Sequence, residues 1–462
     1  MAQSTDSPAT YAVVILGGGS GGYACALRSA QLGNRVALVE SAELGGTCLH
    51  RGCIPTKAML HSAEVADSAR AAEAFGVQAR YEGIDMSGVH AYKDAVVGRL
   101  HKGLQGLVAG AGIDVLAGRG RLTSANTVQV GEREVRGEAI VLATGSAPRL
   151  LPDIPVGGPV VTSNEALRLA RVPERVVILG GGVIGVEFAS IYRSFGAEVT
   201  VVEAAERLLP SEDSAVSSAL RRAYRKRGIS VLTGVSVTAA EVAEDLVTVR
   251  LDDESTVEAD LLLIAIGRSP VTADMGIEEV GVTLDRGFVA TDERLRTSIE
   301  GVYAVGDIVP GLQLAHRGFA QGIFVAEHIA GRDPTPINEA GIPRVTYSDP
   351  EVVSVGATEA QVRGQYGSAE VTELNLGGNG KSQILQTSGF VKVLSATPGG
   401  PVLGVHMIGA RMSEQAGEAQ LIVNWEALPP EVASLIHAHP TQNEAVGEAH
   451  LALAGQPLHS HG

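Results

Sequence analysis

Two stretches of this 462-residue sequence repeat one pattern: an apolar run enters a glycine-rich turn, a helical pattern follows, and a second apolar run closes on a glutamate. With a change of texture beyond residue 340, they predict an α/β protein with two Rossmann-like dinucleotide-binding domains and a C-terminal α+β domain. In the first copy AVVIL enters GGGSGG, YACALRSAQLG has helical periodicity, and RVALVE ends at Glu40. In the second, RVVIL enters GGGVIG, VEFASIYRSFG follows, and EVTVVE ends at Glu203. The offset is 23 positions both from Gly17 to Glu40 and from Gly180 to Glu203. One G-x-G-x-x-G also suits a tight turn in an ordinary doubly wound sheet, whereas a matched pair points to two dinucleotide sites.

Each position in the copies has a physical reason. Gly17 and Gly180 permit the tight turn, Gly19 and Gly182 let the backbone approach a pyrophosphate, and Gly22 and Gly185 let helix and strand pack closely. The helix N-terminus then offers unpaired N–H groups and a positive dipole end to phosphate. Glu40 and Glu203 close their strands where a carboxylate can accept from ribose hydroxyls. Two later strands, IVLATGSAP (140–148) and LLLIAIGRSP (261–270), end in short glycine turns, and GVYAVGD (301–307) ends in Asp307. Segments such as RVTYS, GFVKVL and PVLGVHMIG alternate beyond the proline-bearing linker DPTPINEAGIP (333–343), which places the α+β domain there.

Composition narrows the function classes. Glycine, 57 residues or about 12% against an average of about 7%, clusters beside apolar runs, which excludes collagen-like repeats and disorder. A formal net charge of −16 argues against a nucleic-acid partner. No apolar run approaches the roughly 20 residues of a membrane span, and the opening MAQSTDSPAT lacks signal- and transit-peptide patterns, so a cytoplasmic protein is expected. The basic run LRRAYRKRG (220–228) fits a solvated helix face through Arg221, Arg222, Arg225 and Lys226. The tail histidines His459 and His461 are too isolated for a metal site.

Three cysteines exclude a disulfide scaffold, yet Cys48 and Cys53 lie close together in GGTCLHRGCIPTK (45–57). In a regular α-helix their Cα atoms would be roughly 8–9 Å apart, and a disulfide wants about 4.4–6.8 Å. Bonding therefore requires a distorted backbone, for which Gly52 and Pro55 are suited, and a strained bridge favours redox over structural duty. With only Cys25 left over, a site of four thiolates is impossible and no metal is expected; Cys25 fits a buried helix position. Near the C-terminus, IHAHPTQNEAVGEAHLAL holds His439 and Glu444, a pair able to orient an imidazole as a base. Three imidazoles in that stretch, His437, His439 and His450, equally suit packing or surface positions.

The string GGTCLHRGCIPTK resembles the redox-active segment of the pyridine nucleotide:disulfide oxidoreductases. From about Tyr11 to Leu453 the order of first fingerprint, C-x4-C, second fingerprint, GD segment and HPTxxE is similar to the class I dihydrolipoamide dehydrogenase family. The family's usual Asn-Val after TCL is His50-Arg51 here, which leaves the cysteine motif intact. The resemblance implies a Cys48–Cys53 redox disulfide, His439 held by Glu444 as the base, and FAD on Gly17, Gly19, Gly22 and Glu40. Thr47, Lys57, Gly120, Thr144, Gly145, Ser146, Asp307 and Ala315 complete the implied FAD set, with Lys57 near the flavin and Asp307 on the ribitol. NAD would take Gly180, Gly182, Gly185, Glu187, Glu203 and Gly267, with Glu187 the partner of Lys57. Glu203 favours NAD over NADP, since a carboxylate repels a 2′-phosphate.

The implied domains are FAD-binding at 1–150, NAD-binding at 151–270, FAD-binding again at 271–340, and dimerisation at 341–462. The implied reaction oxidises protein-bound dihydrolipoamide with NAD+. The implied partner is a lipoyl-bearing acyltransferase of a 2-oxoacid dehydrogenase or a glycine cleavage system, and active sites are shared across a homodimer. Two other readings stay open: an NAD(P)H-dependent reductase of another disulfide or quinone on the same fold, and a FAD-binding structural component of a multienzyme complex.

Overall fold

A computed structural model describes residues 9–243 and 246–459. Most of the opening decapeptide and His461 lie outside the described residues. The chain forms two compact units, one of residues 1–58, 87–149 and 268–337, the other of residues 59–86, 150–267 and 338–462.

Along the chain the first elements are β1 (Ala9–Leu16), α1 (Ser20–Gln31), β2 (Val36–Glu40), α2 (Gly46–Arg51), α3 (Cys53–Ala71), α4 (Met86–Gly110), β3 (Asp114–Ala117), β4 (Gly120–Ser124), β5 (Thr127–Val130), β6 (Arg133–Leu142) and β7 (Ser146–Pro148). There follow β8 (Val160–Thr162), α5 (Ser163–Ala166), β9 (Arg175–Leu179), α6 (Val183–Phe195), β10 (Glu198–Glu203), α7 (Ser214–Lys226), β11 (Ile229–Thr233), β12 (Val237–Ala243), β13 (Leu246–Leu251), β14 (Thr256–Ala259) and β15 (Leu261–Ile264). Then come β16 (Arg268–Pro270), β17 (Leu284–Asp285), β18 (Phe288–Val289), β19 (Val302–Ala304) and α8 (Ala315–Ile329).

In the first unit the sheet runs β3-β2-β1-β6-β5-β4, with β19 beside the far end of β6. The apolar run of β1 is continuous because both faces of the strand are covered. Val14 and Leu16 pack with Ile140, Leu142, Ile277 and Val302 on one face. Val13 and Ile15 pack with Cys25 of α1, Val108 of α4 and Phe324 of α8 on the other. Each such side chain contributes about 1.5–3 kcal/mol by leaving water, and a one-residue slip would exchange the two faces. The register leaves the strands flush at their carboxyl ends: Leu16 pairs with Val39 and Leu142, and Leu142 with Ala304. The turns that follow these strands therefore emerge together at the reversal of strand order where such sheets hold ligands.

The second unit repeats this design in β11-β10-β9-β15-β8, where Leu179 pairs with Ile264, and adds the antiparallel set β12-β13-β14. Its last part is the antiparallel sheet β20-β21-β24-β23-β22, with β20 at Arg344–Thr346, β21 at Glu351–Gly356, β22 at Glu370–Asn375, β23 at Phe390–Ser395 and β24 at Val402–Gly409. Helices Ala416–Asn424 and Glu444–Leu453 cover it, burying Ile422, Val446 and Ala449 against Val391, Val405 and Met407. The alternation in the sequence beyond residue 340 reflects this sheet. On α7, Arg221, Arg222, Arg225 and Lys226 are exposed while Leu220 and Tyr224 are buried, as expected for a solvated basic face. Among the described residues, no helix is long and apolar enough to cross a membrane.

The two fingerprint turns are nearly superimposable in their constraints. Gly17 and Gly180 both have φ +107°, and a Cβ there would meet the carbonyl oxygen of Ala143 at 2.2 Å or of Ala265 at 2.4 Å. A Cβ on Gly22 or Gly185 would lie 1.8 Å from the carbonyl oxygen of Gly17 or Gly180, respectively. At Gly19 and Gly182 a Cβ would meet nothing within 4 Å. Gly185→Ala should therefore force α6 off its strand at a cost of about 1–3 kcal/mol and lower the unfolding temperature, whereas Gly182→Ala, at an open N-cap position, should lower it less. Equal melting of the two variants would contradict this account.

Candidate active site

The helices after both turns begin bare. Gly19 and Gly182 cap α1 and α6 with extended backbone, no side-chain cap and no acidic residue in the first turn. Their first N–H groups and the positive end of the helix dipole thus stay available to an anion. Glu40 accepts from the amides of Gly18 and Ala42, both at 2.7 Å. Glu203 does the same for Gly181 at 2.6 Å and Ala205 at 2.7 Å. Each carboxylate is pinned by two backbone amides, and a carboxylate offers about four acceptor positions, so each retains capacity for hydroxyl donors.

Around the first turn the other strand ends add a linked set. Arg268 donates from Nε to Ser146 Oγ at 2.7 Å and from Nη2 to the Ser146 carbonyl at 2.6 Å, and Ser146 Oγ donates to Asp307 Oδ2 at 2.5 Å. Thr144 donates to the Val271 carbonyl at 2.6 Å, which fixes the turn through Gly145. Asp307 sits in a 3-10 turn whose Gly306 amide donates to Gln321 at 2.7 Å. Ala315 is the first residue of α8, which packs on α1 so closely that a Cβ on Gly322 would meet the Gly21 carbonyl at 2.3 Å. Gly120 is packed among Leu16, Val39 and Val128. In the second unit Glu187, on α6, is buried and accepts from the Tyr347 amide at 2.9 Å, and Gly267 turns with φ +113°.

The distortion required between the cysteines is present. Helix α2, with Thr47 and Cys48, stops at Gly52, whose φ and ψ of −144° and −110° are not helical, and α3 starts at Cys53. A Cβ on Gly52 would press on the Thr47 carbonyl at 3.0 Å, and the Gly52 carbonyl accepts from the Thr56 hydroxyl at 2.7 Å. Both cysteines are thiols in this structure. The Cys48 thiol is pushed up, first by its hydrogen bond with Cys53, then by burial and by the charge of Cys53; Lys57 and the Ser20 hydroxyl pull the other way. Arg268 lies where burial lowers its pKa while the charges of Asp307 and Cys53 support its cationic form. Cys25 is fully buried and pushed up to about 12 by burial, which makes it inert.

At the carboxyl end, His439 is exposed, and its Nδ1 lies 2.8 Å from Glu444 Oε1. Burial raises the Glu444 pKa, but the Thr441 amide, at 2.8 Å, and His439 outweigh it and hold the carboxyl below its ordinary range. Because Glu444 engages Nδ1, the other ring nitrogen is left for chemistry. The neighbouring histidines differ. His437 pairs with Glu418 at 2.9 Å, which raises its pKa, and Asn443 also donates to Glu418. His450 is buried, with Nδ1 2.6 Å from the Val446 carbonyl. His459 pairs with Glu448 at 2.9 Å.

Residues 11–322 match the model of the pyridine nucleotide-disulphide oxidoreductase family, and residues 342–450 match that family's dimerisation domain. The chain belongs to this family. A relative named dihydrolipoyl dehydrogenase from Bacillus subtilis is 39% identical over 97% of this chain and 99% of its own. Among solved structures, LpdA from Mycobacterium tuberculosis has a TM-score of 0.89 at 26% identity, covering 96% of this chain and 99% of its own. The HOCl-induced flavoprotein disulfide reductase RclA from Escherichia coli has a TM-score of 0.86 at 28% identity, covering 95% and 99%.

Members of this family are flavoprotein oxidoreductases using FAD and NAD(H). The chain's two turns fit such groups: open space at Gly19 and Gly182, bare helix ends, and pinned glutamates with acceptor capacity to spare. Sequence reading missed Arg268, Ser20 and the close approach of α8 to α1. Each had a signal, in the arginine of IGRSP, in the serine of GGGSGG, and in Gly318 and Gly322 one helical turn apart.

Burial lowers the pKa of His450 from 6.5 to about 4. Between those values the unfolded chain takes up a proton that the folded chain refuses, so stability falls with pH, by about 3 kcal/mol in all. In melts across that window, His450→Gln should have a pH slope shallower by one proton; an unchanged slope would refute the assignment.

Proposed function

We propose that this chain oxidises a dihydrolipoyl group to its cyclic disulfide and reduces NAD+, with Cys48 and Cys53 cycling between disulfide and dithiol. The carrying observation is the pair of hydrogen-bonded thiols at the α2–α3 break, in the same unit as the first fingerprint turn. The name of the Bacillus subtilis relative supports this substrate. In this reading residues 1–150 and 271–340 bind FAD, residues 151–270 bind NAD, and residues 341–462 form the dimer interface. Exposed apolar side chains there, including Trp425 and Ile436 at 76% and 100% exposure, suit cover by a second copy.

His439, oriented by Glu444, takes a proton from one substrate thiol of the second copy's site. The thiolate attacks Cys48, breaking the Cys48–Cys53 bond and forming a mixed disulfide. The second substrate sulfur displaces Cys48, which closes the lipoyl ring and leaves two cysteine thiols; two electrons and two protons have moved. FAD held in the first unit would supply the two-electron relay from the cysteine thiols to NAD+, one proton leaving with NADH and the other going to solvent. Arg268, near both Cys53 and Asp307, supports Cys53 as the sulfur on the flavin side. Gly17, Gly19, Gly22, Glu40, Thr47, Lys57, Gly120, Thr144, Gly145, Ser146, Asp307 and Ala315 hold FAD in this proposal. Gly180, Gly182, Gly185, Glu187, Glu203 and Gly267 hold NAD. The lipoyl group arrives on an acyltransferase of a 2-oxoacid dehydrogenase or on a glycine cleavage system, and the setting is cytoplasmic.

Cys48→Ser and Cys53→Ser should each lower NAD+ reduction by dihydrolipoamide on the order of a thousandfold or more while FAD stays bound. NADH added to the oxidised wild type should expose two new titratable thiols. Normal turnover in Cys53→Ser would sink the scheme, and FAD bound without any new thiols would favour the structural-component reading. For coenzyme choice, kcat/KM should favour NAD+ over NADP+ on the order of 100-fold, or about 2.7 kcal/mol, and Glu203→Arg should narrow the gap. Equal use by the wild type would count against the role of Glu203.

A further inference from the structure

Three side chains of the first unit converge beside the cysteine helix without a part in the reaction above. Glu43 is on the loop after β2, His50 on α2, and His101 on α4. His50 and His101 are 51 positions apart in sequence, so no local spacing announces the cluster. His50 follows Cys48 by two positions, about 200° round a helix. His50 Nε2 lies 2.8 Å from the Leu44 carbonyl oxygen. A carbonyl only accepts, so Nε2 carries the hydrogen, and in the neutral ring Nδ1 is a lone pair. That Nδ1 lies 3.2 Å from Glu43 Oε2, and His101 Nδ1 lies 3.8 Å from the same oxygen. A lone pair facing a carboxylate oxygen at this distance is unfavourable without a cation between them.

We propose that Glu43, His50 and His101 bind a divalent first-row transition-metal cation, for which zinc is the reference. The donor set of two imidazoles and a carboxylate is one that zinc takes with a water in fourth place. The supporting hydrogen bond is also present: a metal-bound imidazole donates its other N–H to a carbonyl or carboxylate, as His50 does to Leu44. Tetrahedral zinc with bonds near 2.0–2.1 Å sets its ligand atoms about 3.3 Å apart. His50 and Glu43 already stand at that distance, the contact between His101 and Glu43 is about half an ångström longer, and all three ligand atoms lie within 4.8 Å of one another. The imidazoles are sheltered, at 14% and 19% side-chain exposure, while Glu43 at 64% stands at the mouth. The rings meet edge to face with centroids 4.8 Å apart, so a small rotation of His101 closes the set. A cation there ties the β2 loop, the cysteine helix and α4 together.

The test removes competing sulfur. Full-length, FAD-loaded protein carrying Cys48→Ser and Cys53→Ser is dialysed to equilibrium against micromolar zinc chloride, and bound metal is counted by atomic emission. The expected result is one zinc per chain. His101→Ala and Glu43→Gln, added singly to that background, should each weaken binding by at least about tenfold, whereas His439→Ala should leave it unchanged. Zinc should also raise the melting temperature of the background protein but not of its His101→Ala derivative. Failure to retain zinc, unchanged affinity in His101→Ala, or loss of the metal in His439→Ala instead would each overturn the site.

Discussion

The passage from β1 into α1 leaves no room for a side chain at two points, and the first unit's site is arranged around that passage. A carbonyl 1.8 Å from where a Cβ would begin means that α1 rests directly on its own turn. That contact aims the helix's unpaired amides across the sheet edge. From there the dependence runs outward. The Gly18 amide pins Glu40, and Ser20 of the same turn reaches Cys48. Gly21 gives α8 its place, so that a second helix end, at Ala315, lies alongside. A side chain at residue 22 would disturb all of these together. The second unit reproduces the constraint at Gly180 and Gly185 around a different set of neighbours.

Electrostatics near the cysteines follow from how the chain is broken there. An unbroken helix would point Cys48 and Cys53 away from each other, and their shared hydrogen bond would be lost. The interruption at Gly52 brings them together, and different neighbours then act on each. Lys57 and Ser20 act on Cys48, whereas Arg268 senses Cys53 together with Asp307. The asymmetry of the pair is thus built from residues more than 200 positions apart in sequence.

Strand–turn–helix repeats, the cysteine segment and the alternating C-terminal strands were legible because each is governed by local periodicity or by a glycine with one steric purpose. The need for a helix break between Cys48 and Cys53 was legible from distance alone. Arg268 was not: its neighbours Ser146 and Asp307 come from two other strand ends, and only the parallel register of β6 and β19 brings them into reach. The three C-terminal histidines show the same limit. Nothing in the stretch itself distinguishes buried His450 from exposed His439: His450 lies on the helix Glu444–Leu453 that covers the sheet, whereas His439 lies in the loop before that helix. Glu418, which holds His437, belongs to another helix.

The strand order of the first unit also bears on how the polypeptide acquires its shape during synthesis. Strand β6 is paired at its far end by β19, which lies more than 150 residues downstream, and α8 covers the same sheet from later still. The sheet of the second fingerprint has all its strands once residue 264 has been made. A chain emerging from the ribosome can therefore complete the later-numbered nucleotide sheet first. The earlier one waits, with an apolar face of β1 exposed, until residues beyond 302 arrive to close it.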